Sequence, residues 1–489
     1  MATAESTTAA KSGDAPQPEQ KTSLYADRVR IHPRKITGFF RSLKWYTIWV
    51  LLGLYYLAPW LRWDRGPGAP DQALLIDMTG RRAYFFNIEI WPQEVYYLTG
   101  VLILGAVGLF FATALAGRVW CGFTCPQTVW TDLFIWVERL VEGDRNKRIR
   151  LDKAPWSLEK LGKKLLKHAI WLFIAFVTGG AWILYFGDAF EIAGKFFIGQ
   201  ESSAVYGFTA LFTGTTYILA GWAREQVCIY MCPWPRFQGA MFDEHSLIVT
   251  YEEWRGEPRD KAKRDADFSS RGHCVDCKMC VQVCPTGIDI RDGQQMACIG
   301  CALCVDACNT VMDKFNLPRN LITYDSEANQ VARSKGEPTQ TKLIRPRTIL
   351  YVVVLSIVMA VMAWSLSSRS RLEVNIQRDR APLFVTLSDG AIRNGYTYKI
   401  LNMERQDKTF ELTVLGLKGA TLQVIGEAKP GSHLALLPAK PDTVATYKVY
   451  VRVPREDLAD KSTPMVFQIR DTESGEVHED ASVFLGPGR

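Results

Sequence analysis

Apolar residues are gathered into blocks along this chain. Five stretches carry no charged side chain: 45–61 (WYTIWVLLGLYYLAPWL), 95–116 (VYYLTGVLILGAVGLFFATALA), 169–186 (AIWLFIAFVTGGAWILYF), 205–222 (VYGFTALFTGTTYILAGW) and 349–366 (ILYVVVLSIVMAVMAWSL). Each has 17 to 22 residues, close to the ~20 that a helix needs to cross a bilayer. Trp and Tyr stand at several ends, as membrane–water interfaces favour. The pattern predicts five transmembrane helices. After residue 372 it changes to short runs, PLFVTLS, YTYKILNM, FELTVLG, ATLQVIG, ATYKVYVRV, PMVFQIRD and ASVFLG, which read as strands. Turn signals lie at Asn394-Gly395 and Ser474-Gly475. About seven strands in this length predict a β-sandwich of immunoglobulin type. Residues 1–26 are rich in Ala, Thr, Ser, Gln and Pro. They predict a disordered tail and lack the apolar core of a cleaved signal.

Lys and Arg set the expected orientation. The first 44 residues hold eight, 62–94 four, 117–168 eleven, and 187–204 only Lys195. The N-terminus and the segments 117–168 and 223–348 are therefore expected on the cytoplasmic side. An odd number of spans leaves the C-terminal region outside, which in a bacterial inner membrane is the periplasm. The net charge of +7 lies beside apolar spans and does not call for nucleic acid.

All twelve cysteines fall between Cys121 and Cys308, on the expected reducing side. That points to metal chemistry and away from a disulfide framework. Residues 274–284 read CVDCKMCVQVC before Pro285, and residues 298–308 read CIGCALCVDAC before Asn309. Both have the C-x2-C-x2-C-x3-C spacing of two-cluster ferredoxins, in which the fourth cysteine serves the other cluster. One [4Fe–4S] cluster is expected on Cys274, Cys277, Cys280 and Cys308. The second is expected on Cys298, Cys301, Cys304 and Cys284. Zinc sites pair two C-x2-C units and need no third cysteine in each.

A second cysteine pattern occurs twice. Cys121 and Cys125 precede Pro126, and Cys228 and Cys232 precede Pro233, each as C-x3-C-P with an offset of 107 residues. LAG precedes each copy, at 115–117 and 219–221. The repeat suggests a duplicated helical hairpin that brings four thiols together at the membrane edge. Proline disfavours helix at the residue before it and suits a first helical position. Cys125 should then open an amphipathic helix whose dipole favours a thiolate. Thiolates suit Cu(I), and Met231 and Met241 are further soft donors nearby. Copper, an iron–sulfur cluster and zinc all remain open on spacing alone. No span contains a histidine for haem; His168, His245, His273, His433 and His478 read as interfacial or surface residues. No C-x-x-C-H, G-x-G-x-x-G or GxxxxGK[ST] is present. The spans also lack the carboxylates of an ion pump.

Over residues 25–489 the chain resembles the FixG/CcoG/RdxA family of cytochrome c oxidase accessory proteins. The resemblance rests on CGFTCPQTVW (121–130), CIYMCPWPRFQ (228–238), the paired ferredoxin motifs and RDRAPLFVTLSDGAIRNGYTYKI (378–400). It implies a membrane polyferredoxin, and together with the patterns above the expected layout is a tail at 1–26 and a membrane domain at 27–250. A ferredoxin domain would follow at 251–330, a linker and fifth helix at 331–371, and a periplasmic immunoglobulin-like domain at 372–489. It further implies a part in assembling cbb3-type oxidase through reduction of Cu(II) to Cu(I), with copper at Cys121, Cys125, Cys228 and Cys232. Implied partners are a cytoplasmic electron donor, a copper exporter or chaperone, oxidase assembly factors and the lipid bilayer. Two other readings remain: an electron-transfer subunit of a quinol-linked chain, and a redox-sensing assembly scaffold without turnover.

Overall fold

The computed structural model describes residues 30–487 apart from 67, 264–265, 370–371, 404–405, 427–430, 442 and 459. The tail expected at 1–26 lies outside the described residues. The chain divides into two compact units, one of Met1–Leu54, Leu109–Gly180 and Ser203–Thr348, the other of Tyr55–Gly108, Ala181–Ser202 and Ile349–Arg489.

Among the described residues, three helices are long and apolar enough to cross a membrane: Pro92–Ala116, Leu158–Ile183 and Pro346–Ser367. The stretches at 45–61 and 205–222 are helical too, but their limits differ from the apolar pattern. The first helix, Phe39–Leu57, starts earlier because Asp306 accepts the backbone N–H groups of Arg41 (2.8 Å) and Phe40 (3.3 Å) and so caps it. Its buried face is Arg41, Lys44, Ile48 and Leu52, at helical spacing, with two cations turned inward. The helix Ser203–Thr216 widens into a π-type segment over Tyr217–Ala223. The helix Leu158–Ile183 begins well before 169, because Lys164 reaches Glu142 (2.8 Å) and Asp152 (2.7 Å). Paired charges thus extend a helix beyond its apolar part.

Helix Tyr96–Ala116 ends at Gly117, whose φ is +58°. A Cβ there would stand 2.3 Å from the Leu247 carbonyl oxygen, so a glycine is required by both conformation and contact. Leu247 returns its N–H to Leu115 (3.1 Å).

The C-terminal region is a two-sheet antiparallel sandwich. One sheet orders Thr421–Val424, Thr443–Val453, Ile392–Asn402 and Leu372–Arg378, with Val385–Thr386 also pairing Ile392–Asn402. The other orders Leu434–Ala439, Lys408–Leu415, Ser462–Asp471 and Val477–Leu485. Alternate residues of both sheets, among them Tyr396, Tyr398, Leu412, Val451 and Phe467, fill the core. Two strands escaped the sequence reading. Leu434–Ala439 contains Pro438, which a sheet edge tolerates. Leu372–Arg378 lies at the edge of the other sheet. The turn expected at Asn394-Gly395 is absent: both residues lie inside a strand, Gly395 opposite Tyr450. A Cβ on Gly395 would meet the Asp379 carboxylate at 2.3 Å, so this glycine serves close approach and not a turn. Gly475, with φ +70°, does join the last two strands.

Candidate functional site

The two ferredoxin motifs fold alike. Asp276 and Lys278 in the first, Gly300 and Ala302 in the second, have positive φ (44°, 55°, 67° and 55°). Such turns curl the C-x2-C-x2-C loop back on itself, burying Cys274, Cys280 and Cys301 while Cys277 stays exposed. A helix follows each loop, Met279–Val283 and Leu303–Lys314, and the strands Ile248–Tyr251 and Ile322–Asp325 pair beside them. Burial, then the charges of Cys280, Cys274 and Cys277, push the Cys308 thiol up to about 12. Cys284, Cys298, Cys301 and Cys304, with Cys280, line one cavity. Burial, again with neighbouring cysteines, pushes Cys298 up to about 12 and Cys304 well above its ordinary value. Thiols so crowded and buried are poorly ionised alone and call for a cation to replace their protons.

Among the described residues, no three His, Cys, Asp or Glu side chains converge closely enough for a single metal ion. A cubane is wider than an ion and holds its thiolates apart, so the donor chemistry and the spacing fit [4Fe–4S] clusters.

The four cysteines of the C-x3-C-P copies lie near enough to sense one another's charge, though no three of them meet at one point. Each copy is one π-type turn, Trp120–Thr124 and Val227–Met231. Each closes with the same bond, Cys125 N–H to the Trp120 carbonyl and Cys232 N–H to the Val227 carbonyl, both 2.8 Å. The second cysteine of each is extended, as its proline requires (ψ 128° and 121°). Helix Pro126–Glu142 then starts directly from Cys125, and Trp234–Met241 starts two residues after Cys232. Such π-type turns are rare and concentrate at functional sites. Burial and the charge of Cys125 push Cys121 up to about 12, with Cys228 and Cys232 contributing. Cys228 reaches about 12 through burial, Cys125 and Cys232. Cys232 and Met231 remain exposed.

Residues outside the motifs hold the two copies together. Gln127 donates to the carbonyls of Leu219 (2.8 Å) and Arg224 (3.2 Å), joining the first copy to the segment before the second. The Cys121 thiol donates to Gln238 (3.2 Å). Glu138, buried, binds Arg224 (2.6 and 3.1 Å) and Arg148 (2.7 Å). No periodicity marked these polar residues; their partners lie up to 117 positions away.

The cysteine pairs also touch the ferredoxin region. Cys121 and Cys228 pack with Cys301, Leu303 and Ala307. A Cβ on Gly122 would stand 3.0 Å from the Cys301 Cα and from two carbonyl oxygens of that loop. The first C-x3-C turn therefore rests on the backbone of the second ferredoxin motif.

Residues 223–327 match the family described as a 4Fe-4S dicluster domain, and residues 98–148 match a 4Fe-4S binding domain. Residues 362–487 match the immunoglobulin-like fold found at the C-terminus of FixG. Nitrogen fixation protein FixG of Rhizobium meliloti is 46% identical over 465 residues, 89% of either chain. The chain belongs to the FixG/RdxA family. Protein RdxB of Cereibacter sphaeroides is 46% identical over 482 residues, 96% of this chain and 98% of its own. The crystal structure of a FixG-related protein from Vibrio parahaemolyticus aligns with 24% of this chain and 99% of its own at 20% identity and a TM-score of 0.21, too low to carry an argument. As a FixG/RdxA relative with 4Fe-4S domains, the chain is an iron–sulfur protein of electron transfer with apolar helices suited to a membrane.

Proposed function

We propose that this chain carries electrons from a cytoplasmic donor to the four cysteines at the membrane edge, where Cu(II) is reduced to Cu(I) for the maturation of a cbb3-type oxidase. The contact of Gly122 with Cys301 supports this most directly, because it packs the first cysteine pair against the backbone of the second ferredoxin motif. When bound, the two [4Fe–4S] clusters supply single electrons. Cys274, Cys277, Cys280 and Cys308 would hold one, and Cys284, Cys298, Cys301 and Cys304 the other. Cys121, Cys125, Cys228 and Cys232 would take copper as substrate, two thiolates to an ion, since no three of them converge on one point. One electron converts Cu(II) to Cu(I), which soft thiolates favour. The exposed Cys232 offers the entry side. In the full proposal five helices span a bacterial inner membrane. The cysteine sites face the cytoplasm, and the sandwich faces periplasmic assembly factors, with a copper exporter or chaperone taking the product.

One observation favours a second reading of the same four cysteines. The 4Fe-4S binding match at 98–148 includes Cys121 and Cys125, so a third cluster there would be the last carrier before an acceptor. Metal analysis of anaerobically purified protein separates the two. About eight irons, with Cu(II) reduced by dithionite-treated, desalted protein and the rate lost when all four cysteines become serine, supports copper reduction. About twelve irons, four of them lost in that variant, moves the assignment to a third cluster. An unchanged rate of copper reduction in the variant removes copper from this site.

A further inference from the structure

The buried cations beside the two ferredoxin motifs differ in how fully carboxylates compensate them. Around the first, Arg291 binds both Asp276 (2.7 Å) and Asp289 (2.6 Å), and Arg259 lies between Glu257 (3.7 Å) and Asp292 (3.6 Å). Arg291, 4% exposed, also reaches the Cys274 Sγ at 3.8 Å, but two carboxylates bind and compensate this buried cation. Lys278 is exposed, and its charge is screened by solvent.

Around the second motif the compensation is less complete. Arg118 is 7% exposed and gives its N–H groups to the carbonyls of Cys298 (2.6 Å), Pro235 (3.0 Å) and Met296. Among the described residues it has no carboxylate partner. It lies three positions before Cys121, and its Cβ is 3.0 Å from where a Cβ on Gly300 would stand. Lys44 is 2% exposed. Its nearest carboxylate, Asp132, is 3.7 Å away and already bound by Arg41 at 2.7 Å. Lys44 lines a narrow cleft with Cys228, Pro285 and Ile299. Arg118 without a carboxylate partner, and Lys44, which shares Asp132 with Arg41 and a cleft with Glu225, therefore lie beside both the second motif and the membrane-edge cysteines. Such charges are strongly unfavourable in a protein interior unless something anionic faces them.

A cluster held by four thiolates is anionic and gains a further negative charge on reduction. Net charge and hydrogen bonding around it set its potential. We propose that Lys44 and Arg118 make the second motif the electron-attracting end of a one-way path, entered at the first motif beside the exposed Cys277 and drained toward Cys121 and Cys228. Water at Cys277 acts the other way, since it too stabilises a reduced cluster. The buried cations outweigh it because their charges act through a low dielectric, whereas the charge of Arg291 is offset by Asp276 and Asp289, each only a quarter exposed. The inference rests on the electron-carrying reading above but not on copper.

The test is a redox titration followed by EPR on the anaerobically purified full-length protein. Two [4Fe–4S] signals of different potential are expected. Asp276→Asn and Asp289→Asn should raise the lower potential and so identify the first cluster. Lys44→Met and Arg118→Gln should each lower the higher one, with parental iron content, and Lys44→Arg should retain it. Both potentials unmoved in the Lys44 and Arg118 variants would overturn the proposal, as would movement of the signal that Asp276→Asn identifies. Should Lys44→Met lose iron, Arg118→Gln decides: a lowered higher potential supports the proposal, and no shift overturns it. A parent without cluster signals would instead overturn the electron-carrying reading itself.

Discussion

Replacing Glu138 by Gln should loosen the joint between the two cysteine pairs. Glu138 is 1% exposed and binds Arg224 and Arg148, with Lys167 at 3.7 Å. Arg224 lies four positions before Cys228, so this carboxylate anchors the second copy to the helix that follows the first. Burial by itself would push the Glu138 carboxyl up. The charges and hydrogen bonds of Arg224, then Arg148 and Lys167, outweigh it and hold the carboxyl down at about 2, from an ordinary 4.5. At ~1.4 kcal/mol per pH unit the ionised group contributes about 3 kcal/mol. That agrees with the ~3–5 kcal/mol expected when one partner of a buried ion pair is removed. A carboxyl held below its ordinary value stabilises fully above that value and loses its effect as pH falls toward the folded one. The deficit of Glu138→Gln should therefore be constant above about pH 6 and shrink below about pH 4.5. Denaturant unfolding in detergent, followed by tryptophan fluorescence, measures it. Trp171 is a local probe, stacked on Phe134 with Lys167 and Arg224 over its ring. A loss under about 1 kcal/mol at neutral pH, or a full deficit persisting at about pH 3, would refute the reasoning.

Gly122→Val should separate the first C-x3-C turn from the second ferredoxin motif, since backbone atoms 3.0 Å from the added Cβ have little freedom to retreat. We expect ~1–3 kcal/mol of destabilisation and slower oxidation of pre-reduced protein by Cu(II), with iron content retained. A parental rate in a folded variant counts against the contact as the electron path. Cys308→Ala should abolish the EPR signal of the cluster assigned to Cys274, Cys277 and Cys280, and Cys284→Ala the other. Loss of the same signal in both variants refutes the crossed ligation. In the sandwich, Lys408→Met leaves Asp471 buried without its 2.6 Å partner. Despite burial, that lysine helps hold the Asp471 carboxyl at about 2. A loss of ~3–5 kcal/mol in the thermal or denaturant stability of the full chain is expected, and a loss under about 1 kcal/mol would show the pair to be solvent-screened.

The cysteine spacings and the uncharged stretch lengths were legible because both are local. A C-x2-C-x2-C loop curls its cysteines round one space whatever surrounds it, and about twenty apolar residues need a nonpolar environment in any fold. The strand runs of the sandwich were legible for the same reason: alternation is read within one strand. Tertiary contacts decided the remainder. Asn394-Gly395 reads as a turn, yet the pairing of Gly395 with Tyr450 keeps it extended. Pro438 hides a strand that only its edge position permits. The helix expected from 45 begins at Phe39 because Asp306, far along the chain, caps it.

The sequence by itself determined the iron–sulfur chemistry and the duplicated cysteine turns. Only the tertiary structure decided which groups meet across the 107 residues separating those turns. It also decided which charges are buried. Lys44 and Arg118 look like any membrane-flanking cations in the sequence. Packing removes them from water, and a charge gains its leverage over a neighbouring site only once solvent no longer screens it.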